Sequence, residues 1–263
     1  MMGFEFEFER EFCVVIFAIL GASFGSFLNV VAHRSIEGRP WWGRERSICE
    51  TCKHELGFWE LIPILSWLCL RGRCKNCGAR ISVRYLLVEL ITGIAFALII
   101  FRHGLSFETL LACVGICGIM INSLTDIETG EIFDAYTLSF VILGLLLRIY
   151  WGFDAILDGF FGALFGFGIF ALIIILSRGG MGWGDATFMS GMGALLGWKL
   201  AILAFYIGIM FGGICVLILL LIGKIHWGKK ESVPLVPFLS VGCYVAFLYG
   251  DEILANLHFG FQF

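Results

Sequence analysis

Long apolar stretches broken by short polar ones run through the chain. Eight can be read, at residues 12–32, 86–101, 110–125, 135–150, 155–177, 186–198, 200–222 and 233–249. At about 1.5 Å per residue the first reaches roughly 30 Å, the hydrocarbon thickness of one bilayer. The second, fourth and sixth fall short of the roughly 20 residues a spanning helix needs. The pattern predicts an all-α polytopic membrane protein with about eight transmembrane helices. One sizeable polar stretch, residues 33–84, lies between the first two. The chain divides into a first helix (1–32), a cysteine-rich insertion (33–84), a second helix (85–103) and a six-helix membrane domain (104–263).

Composition agrees with the pattern. Hydrophobic residues make up 59% and charged residues 15%, with a mean hydropathy of +0.93, whereas soluble domains carry about 25% charge. The surface such a chain offers fits a lipid bilayer. The net charge of −3 carries little information, because in membrane proteins the location of charge matters more than its sum. Ten Lys and Arg fall in residues 33–84; Arg178, Lys224, Lys229 and Lys230 join them on the same side if there are eight spans. Only Arg10, Arg102, Arg148 and Lys199 fall on the other. Positive residues gather on the cytoplasmic side, so the insertion is expected in the cytoplasm and both termini outside it. The basic residues have no groove-fitting scaffold around them, which argues against nucleic acid.

Four of the ten cysteines form the strongest local motif, Cys49-x-x-Cys52 and Cys74-x-x-Cys77. Two short thiolate hairpins can close a tetrahedron around zinc, and four cysteines complete its coordination, so the metal would be structural. Gly78 is expected to supply the tight turn. Free thiols or a transient redox pair are the alternatives. Cys13, Cys69, Cys113, Cys117, Cys215 and Cys243 read as small buried hydrophobes. Gly159, Gly162, Gly166, Gly168, Gly208, Gly212 and Gly213 read as contact points between helices.

Carboxylates are costly in a bilayer and often functional there. Asp126 ends the third apolar segment, Asp134 precedes the fourth, and Asp185 stands just ahead of the sixth in Gly182-Trp183-Gly184-Asp185. The predicted topology puts all three at one membrane edge. Two carboxylates facing one water can share a proton: one form deprotonates the water and the other protonates a scissile carbonyl. Gly182 and Gly184 would let a substrate backbone approach and the loop take positive φ. A helix cap or a solvated interface residue is the plain alternative for each aspartate, and a proton-coupled transporter is the rival function. Glu89, one turn into the second segment, is expected to pair with Arg84 or Arg80 or to lie near a cofactor. Asn29 is expected to join helices by hydrogen bonds. Asp154, Asp158 and Asp251 read as solvated on the outer side.

With these blocks in order, the chain resembles the prepilin peptidases, or type IV leader peptidases. The resemblance runs through Gly25-Ser-Phe-Leu-Asn-Val-Val-Ala-His-Arg34, Arg46-Ser-Ile-Cys-Glu-Thr-Cys52 and Ile62-Pro-Ile-Leu-Ser66. It continues in Gly72-Arg-Cys-Lys-Asn-Cys-Gly78, Ile81-Ser-Val-Arg-Tyr-Leu-Leu-Val-Glu89, the aspartate motifs and Val236-Pro-Phe-Leu239. It implies a bifunctional enzyme of the bacterial inner membrane. Such an enzyme cuts the basic leader from type IV prepilins or type II secretion pseudopilins after a glycine, on the cytoplasmic face. It then N-methylates the exposed residue with S-adenosylmethionine. The resemblance makes Asp126 and Asp185 the catalytic pair and Asp134 a supporting residue, and ties methyl transfer to the cysteine region. No residues are assigned to S-adenosylmethionine. Phe133 stands where the family usually has proline, which leaves the loop conformation open. A different G-x-G-D intramembrane protease and a non-enzymatic zinc-ribbon scaffold are the other classes.

Overall fold

The computed structural model describes residues 2–43, 46–178, 180–223 and 234–260. Arg44, Lys224, Lys229 and Lys230, counted above for topology, and the start of the eighth apolar segment lie outside them. The described residues are helical and turn-like, with isolated bridges only. They form two compact units, Met1–Thr109 and Leu110–Phe263.

In the first unit, α1 (Met2–Ile36) and α3 (Val83–His103) pack side by side. Between them lie a 3-10 turn (Phe58–Leu61) and the short α2 (Leu65–Cys69). Arg10 meets Phe101, while Gly25 meets Glu89, so the two long helices run antiparallel. Ser82 caps α3 by accepting the Arg84 N–H at 3.2 Å. The close approach depends on Gly25: a Cβ there would come within 3.1 Å of the Glu89 Cα and 2.9 Å of the Thr92 hydroxyl.

The second unit holds most of α4 (Phe107–Thr129), then α5 (Asp134–Arg148), α6 (Phe153–Leu176), α7 (Trp183–Leu196), α8 (Trp198–Leu221) and α9 (Val236–Gly260). Seven helices among the described residues are long and apolar enough to span a bilayer, and α7 is not one of them. With 14 residues it reaches only about 21 Å. It packs on α5, α6, α8 and α9, and Ala186, Phe188, Met189, Ala194 and Leu195 have no exposed surface. The short sixth segment is therefore the core of the unit. The helix begins earlier than the apolar pattern indicated, so Asp185 lies in its first turn rather than ahead of it. Gly162 of α6 and Gly193 of α7 meet backbone to backbone, and a Cβ on either would collide with the other's carbonyl. Such contacts hold helices together in lipid, where apolar burial supplies little attraction. Gly159, Gly166, Gly208 and Gly212 are likewise crowded, but Gly168 and Gly213 face open space.

Other expectations need correction. Asp158 is not simply solvated: its Oδ2 takes a 2.7 Å ion pair from Arg148 and its Oδ1 accepts the Trp198 N–H. The same guanidinium donates to the carbonyls of Ala194 and Leu195 at 3.0 and 2.9 Å. These are unpaired carbonyls at the C-terminal end of α7, where a cation also suits the helix dipole. Asn29 donates within its own helix, to the Gly25 carbonyl, and its Oδ1 has no partner. Cys69 is exposed, while Cys113 and Cys243 are buried.

Candidate active site and metal centre

Asp126 lies near the C-terminal end of α4, where the Gly130 N–H closes the helix onto its carbonyl at 2.9 Å. Its side chain is 7% exposed, and its Oδ2 accepts the Val236 N–H at 3.0 Å. Asp185 sits in the first turn of α7 behind the N-cap Gly182 and is 8% exposed. The two carboxylates are close enough for their charges to act on one another. Two aspartates 59 positions apart in sequence (185 − 126) thus come within electrostatic range from two helices of one unit.

Asp134 is the first residue of α5 and is exposed. Its Oδ1 accepts the Thr187 hydroxyl at 3.0 Å, which ties the start of α5 to the N-terminal end of α7. Phe133 caps α5 with φ −85°, within about 20° of the angle proline fixes. Phenylalanine therefore keeps the backbone that proline would impose. Gly182 has φ −79° and Gly184 is helical, so neither takes the positive φ expected of the loop. Gly184 makes room for Ile132: a Cβ would lie 2.8 Å from that side chain. Glu89, buried in the other unit, accepts the Ile64 N–H at 2.7 Å. It thereby holds a residue at φ +64°, a conformation costly for a branched side chain.

The four motif cysteines converge, with all four sulfurs within 4.8 Å of one another. Cys49 and Cys77 are 3.9 Å apart, and Cys52 and Cys74 are 4.0 Å apart. A tetrahedral ion with bonds of about 2.3 Å places its sulfurs about 3.8 Å apart, whereas a disulfide needs about 2.05 Å. The two hairpins repeat one design. The Cys49 N–H bonds the His54 carbonyl at 2.9 Å, and the Cys74 N–H bonds the Ala79 carbonyl at 2.8 Å. Each turn then needs a left-handed residue. Gly78 supplies it at φ +72° as expected, and Lys53 supplies it at φ +58°, which its residue type does not signal.

Donors also surround the sulfurs. The backbone N–H groups of Cys52 and Thr51 hold the Cys49 thiol below its ordinary value. The His54 N–H and the Asn76 amide draw Cys52 down to about 6. At Cys77 the Ala79 N–H pulls the same way, but burial and the neighbouring sulfurs outweigh it and leave the thiol at about 11. Donors aimed at sulfur stabilise thiolate, the form that binds metal. The set fits a metal ion.

The sequence reading named both aspartates and all four cysteines. It missed the Val236 N–H, the Thr187 hydroxyl and Arg148. A backbone donor has no residue-type signature. The Val236-Pro-Phe-Leu239 block was the available pointer, but without a role.

The fold and these sites define a multi-pass membrane protein with two buried aspartates in one unit and a four-cysteine cluster able to hold a metal ion in the other. The chain belongs to the type IV leader peptidase family. That family's model matches residues 113–217, and the bacterial peptidase A24 N-terminal domain matches residues 19–103. A prepilin leader peptidase/N-methyltransferase from Stutzerimonas stutzeri is 30% identical, with 90% of this chain and 91% of its own covered. One of the same description from Bacillus subtilis is 35% identical, over 80% and 84%. A third, from Pseudomonas aeruginosa, is 30% identical over 89% and 90%. Among solved structures none gives a significant match.

Proposed function

We propose that this chain is a bacterial inner-membrane aspartic endopeptidase and N-methyltransferase. It removes the basic leader of type IV prepilins or type II secretion pseudopilins after a glycine, with Asp126 and Asp185 at the cytoplasmic face and both termini periplasmic. The observation that carries the reading is that these two buried carboxylates, one from α4 and one from α7, lie within electrostatic range of each other. Two such groups at close range share one proton, because both cannot ionise cheaply. The ionised member takes a proton from water as it attacks the scissile carbonyl, and the protonated member gives its proton to the carbonyl oxygen. As the C–N bond then breaks, the member that took the water's proton gives it to the leaving amine, and the other removes a proton from a hydroxyl of the tetrahedral intermediate, which restores the one shared proton. Such a pair titrates jointly, so each macroscopic step belongs to both aspartates. Asp134, through Thr187, steadies the turn that carries Asp185.

Zinc suits the four thiolates of Cys49, Cys52, Cys74 and Cys77. With its coordination closed by protein, it would lock the fold of residues 33–84 and take no part in bond cleavage. S-adenosylmethionine is the methyl donor the family implies. Glu89 lies beside the cysteine region, but its bond to Ile64 favours a positioning role over contact with the acceptor amine. The test is incubation of the purified enzyme with a candidate prepilin and S-adenosylmethionine, with cleavage and methylation read by mass spectrometry. Absence of both products, from an enzyme that is folded and inserted, refutes the proposal.

A further inference from the structure

Helix α9 begins with a donor that its own backbone cannot satisfy. The Leu235 carbonyl accepts from Phe238 and Leu239, at 3.0 and 3.2 Å, so Val236 is the first helical residue. The first N–H groups of a helix have no carbonyl partner within it. Val236 has no exposed surface, so solvent cannot supply one, and an unpaired buried amide is expensive. Pro237 has no N–H, and that of Phe238 is already used. The Val236 amide is thus the donor left over in this turn, and Asp126 Oδ2 takes it at 3.0 Å. A second link fixes the same two helices. Ser123 of α4 and Ser240 of α9, each about one turn away, share a hydroxyl hydrogen bond of 2.9 Å.

We infer that the first turn of α9 is a working part of the peptidase centre, in which the Val236 N–H is a positioning group that fixes one oxygen of Asp126 and leaves Oδ1 to meet water. This rests on the peptidase reading above. It gives the Val236-Pro-Phe-Leu239 block a mechanical role: proline removes one donor, and the amide before it aims the carboxylate. It also makes the two aspartates unequal in how they are held: Asp126 accepts from a third helix, whereas Asp185 accepts from Gly182 at the start of its own.

The test removes the one hydrogen atom. Proline suits the first position of a helix, so Val236→Pro deletes the N–H where the backbone already accepts proline. Val236→Ala trims the buried side chain and keeps the N–H. For cleavage of a prepilin by the full-length enzyme, the proline variant is expected to lose about 10–100-fold in kcat with KM unchanged, the scale of a small misplacement of a reacting group. The alanine variant should recover most of that loss. Equal kcat in the two variants overturns the inference. The amide itself gives a second reading, which stands even if Val236→Pro fails to insert. In detergent-solubilised full-length protein, hydrogen exchange at Val236 should be slow in the wild type and fast in Asp126→Ala. Equal exchange in both also overturns it. Failure of the parent reading looks different: there, Asp126→Asn and Asp185→Asn would still cleave.

Discussion

At the scale of single residues, the proposed chemistry depends on a few atoms that no neighbour can replace. Asp126→Asn and Asp185→Asn keep the shape of each side chain and remove the shared proton. Each should lower cleavage by at least about a thousandfold, since a pair acting as a unit loses nearly everything with either member. The protein should remain in the membrane fraction. Cleavage near wild-type rate by either purified variant would end the assignment. Asp134→Asn keeps an acceptor for Thr187 and should cost no more than about tenfold. Replacing Cys49, Cys52, Cys74 or Cys77 with serine should lower metal content, because the hydroxyl is a poor ligand for a thiophilic ion. Elemental analysis of chelator-free protein should find one zinc per chain in the wild type; none would refute the metal assignment. These residues were legible in the sequence because their spacing or their rarity in apolar surroundings marks them. Lys53 and the Val236 amide were not, since each acts through backbone geometry that any residue type can adopt.

At the scale of elements, α7 decides how the site is built. Its first turn carries Asp185, and its other end is clamped by Arg148 through the Ala194 and Leu195 carbonyls. Arg148 is 9% exposed and is oriented in turn by Asp158 at 2.7 Å. Arg148→Met removes the donor to three carbonyls, those of Ala155, Ala194 and Leu195, and the ion pair of Asp158, so it should destabilise the second unit by about 2–4 kcal/mol. Thermal unfolding in detergent reads this directly, and an unchanged midpoint would show the clamp to be idle. Arg148→Lys should recover only part, because lysine lacks the fork that reaches several acceptors. The sequence put Arg148 and Asp158 on the outer side and read Asp158 as solvated. Their ten-residue separation crosses the end of one helix and the start of the next, where no helical period applies. Apolar periodicity found the long helices well. It set the start of α7 late, because Trp183-Gly184-Asp185 is helical by position while its glycine and carboxylate break the apolar run.

At the scale of the molecule, the two units carry different equipment: four cysteines and Glu89 in one, the aspartates in the other. On the mechanism proposed above, cleavage needs the proton-sharing pair, whereas methyl transfer needs a free amine held in line with a donor. An Asp185→Asn enzyme given an already cleaved pilin peptide and S-adenosylmethionine should therefore still methylate it. Disrupting the cysteine hairpins should harm methylation at least as much as cleavage. If the Asp185→Asn enzyme binds S-adenosylmethionine yet cannot methylate the peptide, the two reactions share one site. The all-helical class and the position of the insertion could be read from hydropathy alone. The depth of α7 could not, because burial in protein and burial in lipid select the same side chains.

The shortness of α7 also bears on how the enzyme is made. A segment of about 21 Å cannot bridge a hydrocarbon layer of about 30 Å by itself, so the machinery that threads spans into the membrane has little reason to release it alone. Its flanks, α6 and α8, are the two most apolar spans, with hydropathies of 2.5 and 2.6, and are able to enter on their own merits. They would draw α7 in between them as backbones close at Gly162 and Gly193. Asp185 then reaches Asp126 only once the bundle has shut. The newborn chain would have no proteolytic activity while it is still being threaded, and the first cut it makes would certify that its own assembly is complete.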